Sequence, residues 1–419
     1  MPSLLSTLSG TVPPGRYADI PRWCLFLVFI LFPVAHLRVF GTGLYWSEAA
    51  LLFAVAAAPL MGWGCLRTRF VVIVLERQAL VLWAALFLVG ILSAFFLNPH
   101  TLSGWGAIKS FYILPVVFSA LILVFGETKE WLERFTLAWL LGLLAASVAA
   151  LSAFSAGWQL YDGRLAGPYL SPNYLAMLVA PGVLLSLYFF QSRTERTAQW
   201  LSILGLIFIL PVLWATHSYA AWLALCVAVV VFVGIGRLSV RPALLTLLLA
   251  VLVVGGFFVQ ESGSEKFQAI LSGSERSSLA SRIMIWRSAG QIAADSFPWG
   301  IGTGRFQETY LAYQSYFPPY LEWAVPTPHN LYLHFLIEGG VLALIGWLGC
   351  VSVIALAALK PQSWSQGSGS IPAVGALGVA LLSFYLVYGL VDTPYMKNDL
   401  ALAVWGTLGL TVAAFRIRA

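Results

Sequence analysis

His329 is the residue in this sequence best placed to transfer a proton. It follows the segment Pro326-Thr327-Pro328 and precedes Asn330 and a long apolar stretch. The prolines hold the approach extended, and the residue after Pro328 is free to begin a helix. At a helix N-terminus the positive end of the dipole disfavours imidazolium, so that a neutral ring can accept a proton. The sequence therefore predicts either a general base here or a polar cap on a membrane helix.

A second polar pair follows on the same predicted helix. His334 and Glu338 have the i, i+4 spacing that puts two side chains on one helix face, whereas His329 and His334 do not share a face as metal ligands would. A carboxylate at membrane depth must be paired or protonated. The pair is predicted to support a site or to tether two helices, and both interpretations stay open.

Arginines in the predicted outer loops have the chemistry to bind an anion. A guanidinium makes bidentate, charge-assisted hydrogen bonds to phosphate and stays protonated when partly desolvated. The candidates are Arg164, Arg282, Arg287 and Arg305. Asn173 and His217 are further polar residues at predicted outer ends of spans. We expect these side chains to form a site for an anionic headgroup, with a solvated loop charge as the alternative for any single arginine.

Gly300, Gly302 and Gly304 define a glycine-rich turn in front of Arg305. Such a turn could let backbone N–H groups approach a phosphate. Without a strand before it and a helix after it, the pattern is more typical of a simple turn.

The residues that could act as metal ligands are too far apart in the sequence to predict a metal site. Mg²⁺ and Mn²⁺ require clustered oxygen ligands. The carboxylates on or near the outer face are separated along the chain: Asp162, Glu308, Glu322, Asp392 and Asp399. The 4 cysteines include no close pair, so they predict neither a disulfide framework nor a zinc site. We expect no metal and no cofactor.

Membrane helices must position these residues. The chain of 419 residues is 60% hydrophobic and 10% charged, with a mean hydropathy of +0.87. Soluble domains carry about 25% charged residues, so this composition excludes a soluble globular protein. The net charge of +6 is scattered singly between apolar stretches and does not predict binding of nucleic acid. The predicted class is an all-α, polytopic helical membrane protein in contact with membrane lipids.

The apolar stretches predict about twelve transmembrane helices. The spans are expected near residues 22–37, 44–65, 79–97, 107–125, 135–156, 173–190, 200–216, 218–236, 243–259, 329–359, 372–392 and 399–415. With the N-terminus inside, basic residues such as Arg67, Arg69 and Arg134 fall in cytoplasmic loops, as the positive-inside rule requires. Both termini are then cytoplasmic, and the polar residues described above face the other side.

The expected organisation has three parts. Residues 1–259 form an N-terminal bundle of about nine spans, and residues 329–419 form about three more. Residues 260–328 form one large outer loop, and polar loops of this length are usually functional or disordered. Within it, an apolar face at helical spacing predicts an amphipathic helix near 281–297, formed by Ile283, Trp286, Ala289, Ile292 and Ala293. The loop should therefore contain short helices.

Several motifs, in their order, resemble the O-antigen ligase and polymerase superfamily. Pro328-His329-Asn330-Leu331, followed by Glu338-Gly339-Gly340, is similar to the signature of that family. The segment from Pro298 to Phe306 resembles its P-x-G-x-G-x-G-x-F element. Arg164-Leu165-Ala166-Gly167 and Pro172-Asn173 resemble its earlier R-L-x-G and P-N elements. The preceding half of the chain is similar only as a series of membrane spans.

One position departs from the family pattern. Members often carry Thr-x-Ser-Arg-Gly before the eighth span, whereas this sequence reads Thr216-His217-Ser218-Tyr219-Ala220. The arginine expected at position 219 is absent. Either another arginine supplies that charge or this subgroup differs, and His217 could contribute instead.

The resemblance implies a membrane glycosyltransferase of the bacterial inner membrane. It would transfer O-antigen polysaccharide from undecaprenyl diphosphate to a sugar hydroxyl of lipid A-core in the periplasmic leaflet, with inversion and without a metal. An inverting displacement needs a base for the acceptor and positive charge for the leaving diphosphate. The resemblance assigns the base to His329 and the diphosphate to Arg164, Arg282 and Arg305, with Arg287 as a further candidate. The supporting residues would be Asn330, His217, Glu338, His334 and Asn173.

Two alternative functions remain. An O-antigen polymerase would use an undecaprenyl-linked acceptor, and the motifs do not separate it from a ligase. A transporter of lipid or polysaccharide would need titratable residues near the middle of the membrane and a path open to both sides. The polar residues of this sequence concentrate at the outer ends of the spans instead, which favours surface chemistry.

Overall fold

The computed structural model describes residues 17, 19–34, 38–39, 42–99, 102–160, 162–169, 171–191, 196–236, 240–275, 277–314, 325–359 and 373–417. Throughout these residues the elements are helices, and no strand occurs. This confirms the prediction of an all-α fold for the described part of the chain. Glu322, one of the dispersed carboxylates, lies outside it.

Ten α-helices of the described residues precede the long polar segment. In chain order they are α1 Asp19–Leu31, α2 Trp46–Ala57, α3 Trp63–Glu76, α4 Gln78–Leu97, α5 Gly104–Phe125, α6 Lys129–Ser155, α7 Pro172–Gln191, α8 Arg196–Ala215, α9 Tyr219–Gly236 and α10 Val240–Glu261. The helices α7 and α10 differ most in their environment. In α7, 83% of the apolar window is buried in the protein, whereas in α10 only 11% of it is buried. We infer that α7 lies in the centre of the bundle and α10 at its edge.

In the part of the chain that the structure describes, the long polar segment contributes three short α-helices, and three apolar helices follow it. They are α11 Glu265–Leu271, α12 Ser278–Asp295, α13 Phe306–Tyr313, α14 Leu331–Leu359, α15 Ala373–Tyr388 and α16 Asn398–Ala414. The helix α12 corresponds to the predicted amphipathic helix. Its residues Ala289, Ile292 and Ala293 are buried as expected, but Ile283 is exposed and Ile285 lies on the buried face instead.

Eight helices of the described residues are long and apolar enough to cross a membrane. The pair α2–α3 would add a ninth if it formed one span, although it bends by 109° at the junction. The other predicted spans coincide with the shorter helices α1, α15 and α16. The structure thus supports a multi-pass membrane protein, while the count of twelve spans remains a prediction.

The helices α4 and α14 pack closely along their length because glycines remove the side chains between them. A Cβ atom added to Gly90 or Gly346 would overlap the backbone of the opposite helix, at Ala343 and Phe87 respectively. Small residues at such contacts let membrane helices approach each other. This contact fixes the position of α14, which begins beside His329.

At Gly340 the helix α14 is broken, and there it contacts the long polar segment. Gly340 has φ 69° and ψ −174°, and the N–H of Val341 donates to the carbonyl of Pro298 at 2.9 Å. A Cβ on Gly340 would lie 2.5 Å from the oxygen of Pro298, and one on Gly300 would lie 2.6 Å from the oxygen of Ile337. These glycines therefore allow the glycine-rich turn to insert against α14.

Candidate functional site

Asp392, just beyond the end of α15, is the point at which several of the predicted site residues meet. Its Oδ1 lies 2.8 Å from Nδ1 of His329 and accepts from the backbone N–H of Thr393 at 2.9 Å. Its Oδ2 accepts from Nη2 of Arg282 at 3.4 Å and from Nδ2 of Asn173 at 3.3 Å. Both carboxylate oxygens are thus occupied, and a single acidic side chain joins residues from three distant parts of the chain.

His329 lies immediately before the capped start of α14. Its φ is 47°, a left-handed conformation that is uncommon for residues other than glycine. Asn330 caps the helix, because its Oδ1 accepts from the N–H groups of Tyr332 and Leu333, both at 3.0 Å. The helix thus begins at Leu331, two residues after the first position that could begin it, His329. Asn330, and not His329, caps the helix.

The main chain of His329 is held by α12. The indole Nε1 of Trp286 donates to the carbonyl of His329 at 3.2 Å, and Nδ2 of Asn330 donates to the carbonyl of Leu390 at 2.9 Å. The imidazole itself remains partly accessible, with 29% of the side chain exposed. Because Nδ1 faces Asp392, Nε2 is the ring nitrogen left to approach a substrate.

Arg164 reaches the same network through Asn173. Its Nη2 donates to Oδ1 of Asn173 at 3.3 Å, and its Nε donates to the carbonyl of Thr216 at 2.9 Å. Asn173 lies in the first turn of the central helix α7 and passes the contact on to Asp392. Burial lowers the pKa of Arg164 and the charge of Asp162 opposes this shift, so the guanidinium lies in a partly desolvated place where an anion would be favoured.

Arg282 binds the other side of Asp392. Its Nε donates to the carbonyl of Val391 at 2.7 Å, which together with the contact to Asp392 fixes the guanidinium at the end of α15. Burial raises the pKa of Asp392, but the charge of His329, their hydrogen bond and the charge of Arg282 outweigh it and lower this pKa to about 2. Asp392 is therefore ionised at neutral pH and favours a proton on Nδ1 of His329.

His217 forms a second histidine–carboxylate pair. Its φ is also 47°, and its Nδ1 lies 2.5 Å from Oε1 of Glu261, the last residue of α10. The hydroxyl of Tyr219 donates to Oε2 of the same carboxylate at 2.5 Å. The residue that replaces the expected arginine thus helps to hold Glu261.

Lys266 on α11 lies against this pair. Its ammonium donates to the carbonyl of His217 at 2.6 Å and lies 4.3 Å from the centre of the Tyr219 ring. Arg164 binds the preceding carbonyl, that of Thr216. The two cations therefore occupy neighbouring positions on one turn.

His334 and Glu338 are buried below the surface, and they do not join the Asp392 network. Nε2 of His334 lies 3.7 Å from Oε2 of Glu338 and 3.3 Å from the hydroxyl of Tyr112. Glu338 accepts from the backbone N–H of Gly304 at 3.0 Å and of Phe306 at 3.3 Å. This arrangement supports the tether interpretation, because the carboxylate holds the glycine-rich turn against α14.

The glycine-rich turn directs at least part of its backbone towards Glu338 instead of an external anion. Arg305 follows the turn, and its Nη1 donates to the carbonyl of Ile301 at 3.4 Å. Arg287 lies on the exposed side of α12. Of the four predicted diphosphate ligands, the structure joins Arg164 and Arg282 through Asp392 and places Arg305 and Arg287 in other surroundings.

No group of three or more His, Cys, Asp or Glu side chains within the described ranges is arranged to hold a metal ion. Sequence reasoning missed the roles of Asp392 and Glu261, since it treated Asp392 as one of several isolated carboxylates and did not single out Glu261. A signal did exist for Asp392 and Glu261. Each lies at the outer end of an apolar stretch, where an acidic residue needs a partner.

Comparison with known protein families gives a match. Residues 204–348 match a family model described as O-antigen ligase. The matched part includes His217, Lys266, Arg282 and His329 and ends before Asp392. No curated protein matches the sequence.

Proposed function

We propose, from the premise that residues 204–348 place this chain in the O-antigen ligase superfamily, that it is an O-antigen ligase. As a member of that ligase and polymerase family, it is a multi-pass membrane glycosyltransferase. The specific reaction proposed is transfer of O-antigen polysaccharide from undecaprenyl diphosphate to a sugar hydroxyl of lipid A-core. The observation that supports it is the arrangement of His329, Asp392 and Arg282 at one partly exposed position.

The proposed base is His329. As the acceptor oxygen attacks the anomeric carbon, Nε2 takes the proton of the hydroxyl, while the Nδ1–H donates to Asp392. The ionised carboxylate stabilises the imidazolium that forms. Asp392 touches no substrate in this mechanism, so it is a positioning residue.

The leaving group is undecaprenyl diphosphate, which departs with the electron pair of the broken C–O bond. Arg164 and Arg282 are the proposed ligands of its developing charge, since both are partly buried and are linked to Asp392. Arg305 and Arg287 remain candidates of lower rank, because other surroundings hold the first and solvent surrounds the second. We propose that no metal or other cofactor takes part.

An apolar groove next to this site fits the polyprenyl part of the donor. An apolar cavity lies between α7, α8, α9 and α10, and its lining includes Leu210, Trp222 and Val253. A neighbouring cavity shares Leu210 and Val253 and extends to Ala215, the residue before Thr216. Because Arg164 binds the carbonyl of Thr216, a diphosphate at the cation cluster could place its lipid tail in this groove.

We propose that the site faces the periplasm from the bacterial inner membrane, with both termini cytoplasmic. The proposed organisation keeps residues 1–259 and 329–419 as membrane parts and 260–328 as the periplasmic loop. The helices α11, α12 and α13 would then cover the site from outside. Basic residues on the opposite side favour this orientation.

The decisive experiment is transfer in vitro. The purified full-length chain is supplied with undecaprenyl-diphosphate-linked O-antigen and, separately, with lipid A-core or an undecaprenyl-linked acceptor. We expect product with lipid A-core alone, and EDTA should not reduce it. Product only with the undecaprenyl-linked acceptor would identify a polymerase. Movement of intact donor across a vesicle membrane, without transfer, would instead identify a transporter.

A further inference from the structure

Lys266 provides a cation that the proposed mechanism does not use. It lies in the outer segment on α11, and its half-buried side chain extends to the turn between α8 and α9. The consecutive carbonyls of Thr216 and His217 accept from Arg164 at 2.9 Å and from Lys266 at 2.6 Å. Two positive groups are thus held side by side by neutral acceptors.

The carboxylates around Lys266 are engaged with other groups. Glu261 binds His217 and Tyr219, and Asp162 lies 3.8 Å from Arg164. Among the described residues, Lys266 has no carboxylate within ion-pair distance. Its ammonium donates a hydrogen bond to the carbonyl of His217 and faces the ring of Tyr219. A ring face attracts an ammonium without neutralising its charge. The positive charge therefore remains available to an added anion.

We propose that Lys266 binds the donor diphosphate beside Arg164 and supplies the positive charge that is absent at position 219. Tyr219 then positions this lysine, because its ring face contacts the ammonium while its hydroxyl donates to Glu261. The inference rests on the proposed function, since the diphosphate of a lipid-linked glycan is its ligand. The proposal adds Lys266, on α11, to Arg164 and Arg282 as ligands of the diphosphate.

The protonation of Lys266 supports this assignment. Burial and the charges of Arg164 and Arg282 together lower its pKa to about 7, while the charges of Glu261 and Asp162 act in the opposite direction. His217 and Tyr219 complete the titratable groups in contact with it. A bound diphosphate would favour the ammonium, so binding should be coupled to uptake of a proton. Above a pH of about 7, affinity should then fall, by about tenfold in total, because less of the free protein carries the charge.

The test measures binding of undecaprenyl diphosphate to the full-length protein in lipid nanodiscs, between pH 6 and pH 9. The variants are Lys266→Met, which keeps the apolar stem, and Lys266→Arg, whose charge does not titrate in this range. Lys129→Ala is the matched control, since Lys129 lies on the predicted cytoplasmic side and its side chain is 68% exposed. Thermal unfolding of each variant checks that it is folded.

We expect Lys266→Met to raise Kd about tenfold at pH 6.5, the effect of losing a charge-assisted contact. Lys266→Arg should keep the affinity of the wild type at pH 6.5 and lose less of it at pH 8.5. Any residual pH dependence in that variant reports groups other than residue 266, the ligand included. In the transfer assay, Lys266→Met should raise KM for the donor more than it lowers kcat.

Two results would overturn this inference. The first is equal affinity of wild type and Lys266→Met at pH 6.5, with both proteins folded. The second is the same pH dependence for wild type and Lys266→Arg. If the wild type binds undecaprenyl diphosphate but transfers to neither acceptor, only the proposed function fails. If the wild type does not bind this lipid, both proposals fail.

Discussion

His329 and His217 form two similar pairs with carboxylates, and the comparison shows what distinguishes a candidate base from a positioning group. Each histidine has φ 47°. Each directs Nδ1 to an acidic residue that lies at, or just beyond, the end of the second helix after it. The two imidazoles are exposed to a similar degree, 29% for His329 and 32% for His217. Local geometry alone therefore does not separate them.

The second oxygen of each carboxylate makes the difference. Oδ2 of Asp392 faces Arg282 and Asn173, so that pair is connected to cations that suit a diphosphate. Oε2 of Glu261 is occupied by the hydroxyl of Tyr219. Asp392 also lies close to the buried core, whereas Glu261 ends the peripheral helix α10. We infer that the His217 pair orders the rim of the site and that the His329 pair performs the chemistry.

Replacing each histidine with asparagine should give the largest difference in activity between the two pairs. Asparagine tolerates a left-handed conformation, so His329→Asn and His217→Asn should both fold. His329→Asn should reduce kcat for transfer by about 10²–10⁴-fold, the usual contribution of a general base. His217→Asn should change kcat by less than about fivefold, because it removes no proton acceptor from the reaction. Equal losses in the two variants would contradict the division of roles.

Neutralising the two carboxylates should give a smaller contrast in the same direction. In Asp392→Asn the amide keeps the shape but no longer stabilises the imidazolium, so kcat should fall about 10²-fold with little change in KM. Glu261→Gln is the matched change at the other pair and should lower kcat less than about threefold. Since Asp392 acts through His329, the double variant His329→Asn/Asp392→Asn should be no slower than His329→Asn alone. Additive losses would mean that Asp392 acts independently.

The sequence predicted the helical class and many of the polar residues, but not which of them meet. Hydropathy reports each span from local composition, so helices were found near all of the predicted spans. Arg164, Asn173, Arg282 and His329 were selected from residue type and position, and the structure connects them. Their connection runs through Asp392, which is far along the chain and belongs to no short motif.

Other differences also have physical reasons. The glycines at 300, 302 and 304 fit a phosphate loop by sequence, yet Glu338 accepts from the N–H of Gly304, and Gly300 packs against the break in α14. Glycine allows both close packing and ligand approach, so its spacing does not distinguish them. The contact of Lys266 with the carbonyl of His217 was not predicted, because it depends on a side chain crossing from α11 to the turn after α8, which local periodicity does not record.

Acid should reveal the charge of Asp392 as a loss of stability. Its pKa is lowered to about 2 from the usual 3.8, so its contribution to folding is complete above about pH 4 and is lost as the pH falls through about 2. The expected loss is about 2 kcal/mol, from about 1.4 kcal/mol per pKa unit. Thermal unfolding of the wild type and of Asp392→Asn should be compared from pH 5 to pH 2. If the two proteins lose stability in parallel, Asp392 carries no such contribution.

The arginines of α12 give the smallest contrast and test whether the cations belong to the His329 pair. Arg282 touches Asp392, while Arg287 lies on the exposed side of the same helix. Arg282→Ala should lower kcat/KM for the lipid-linked donor about tenfold, because one charge-assisted contact is lost. Arg287→Ala should leave it within about twofold, since a solvated charge contributes little. Both variants remove a guanidinium from one helix, so unequal losses would report location rather than total charge. Equal losses would instead indicate that the loop attracts the donor only by its overall field.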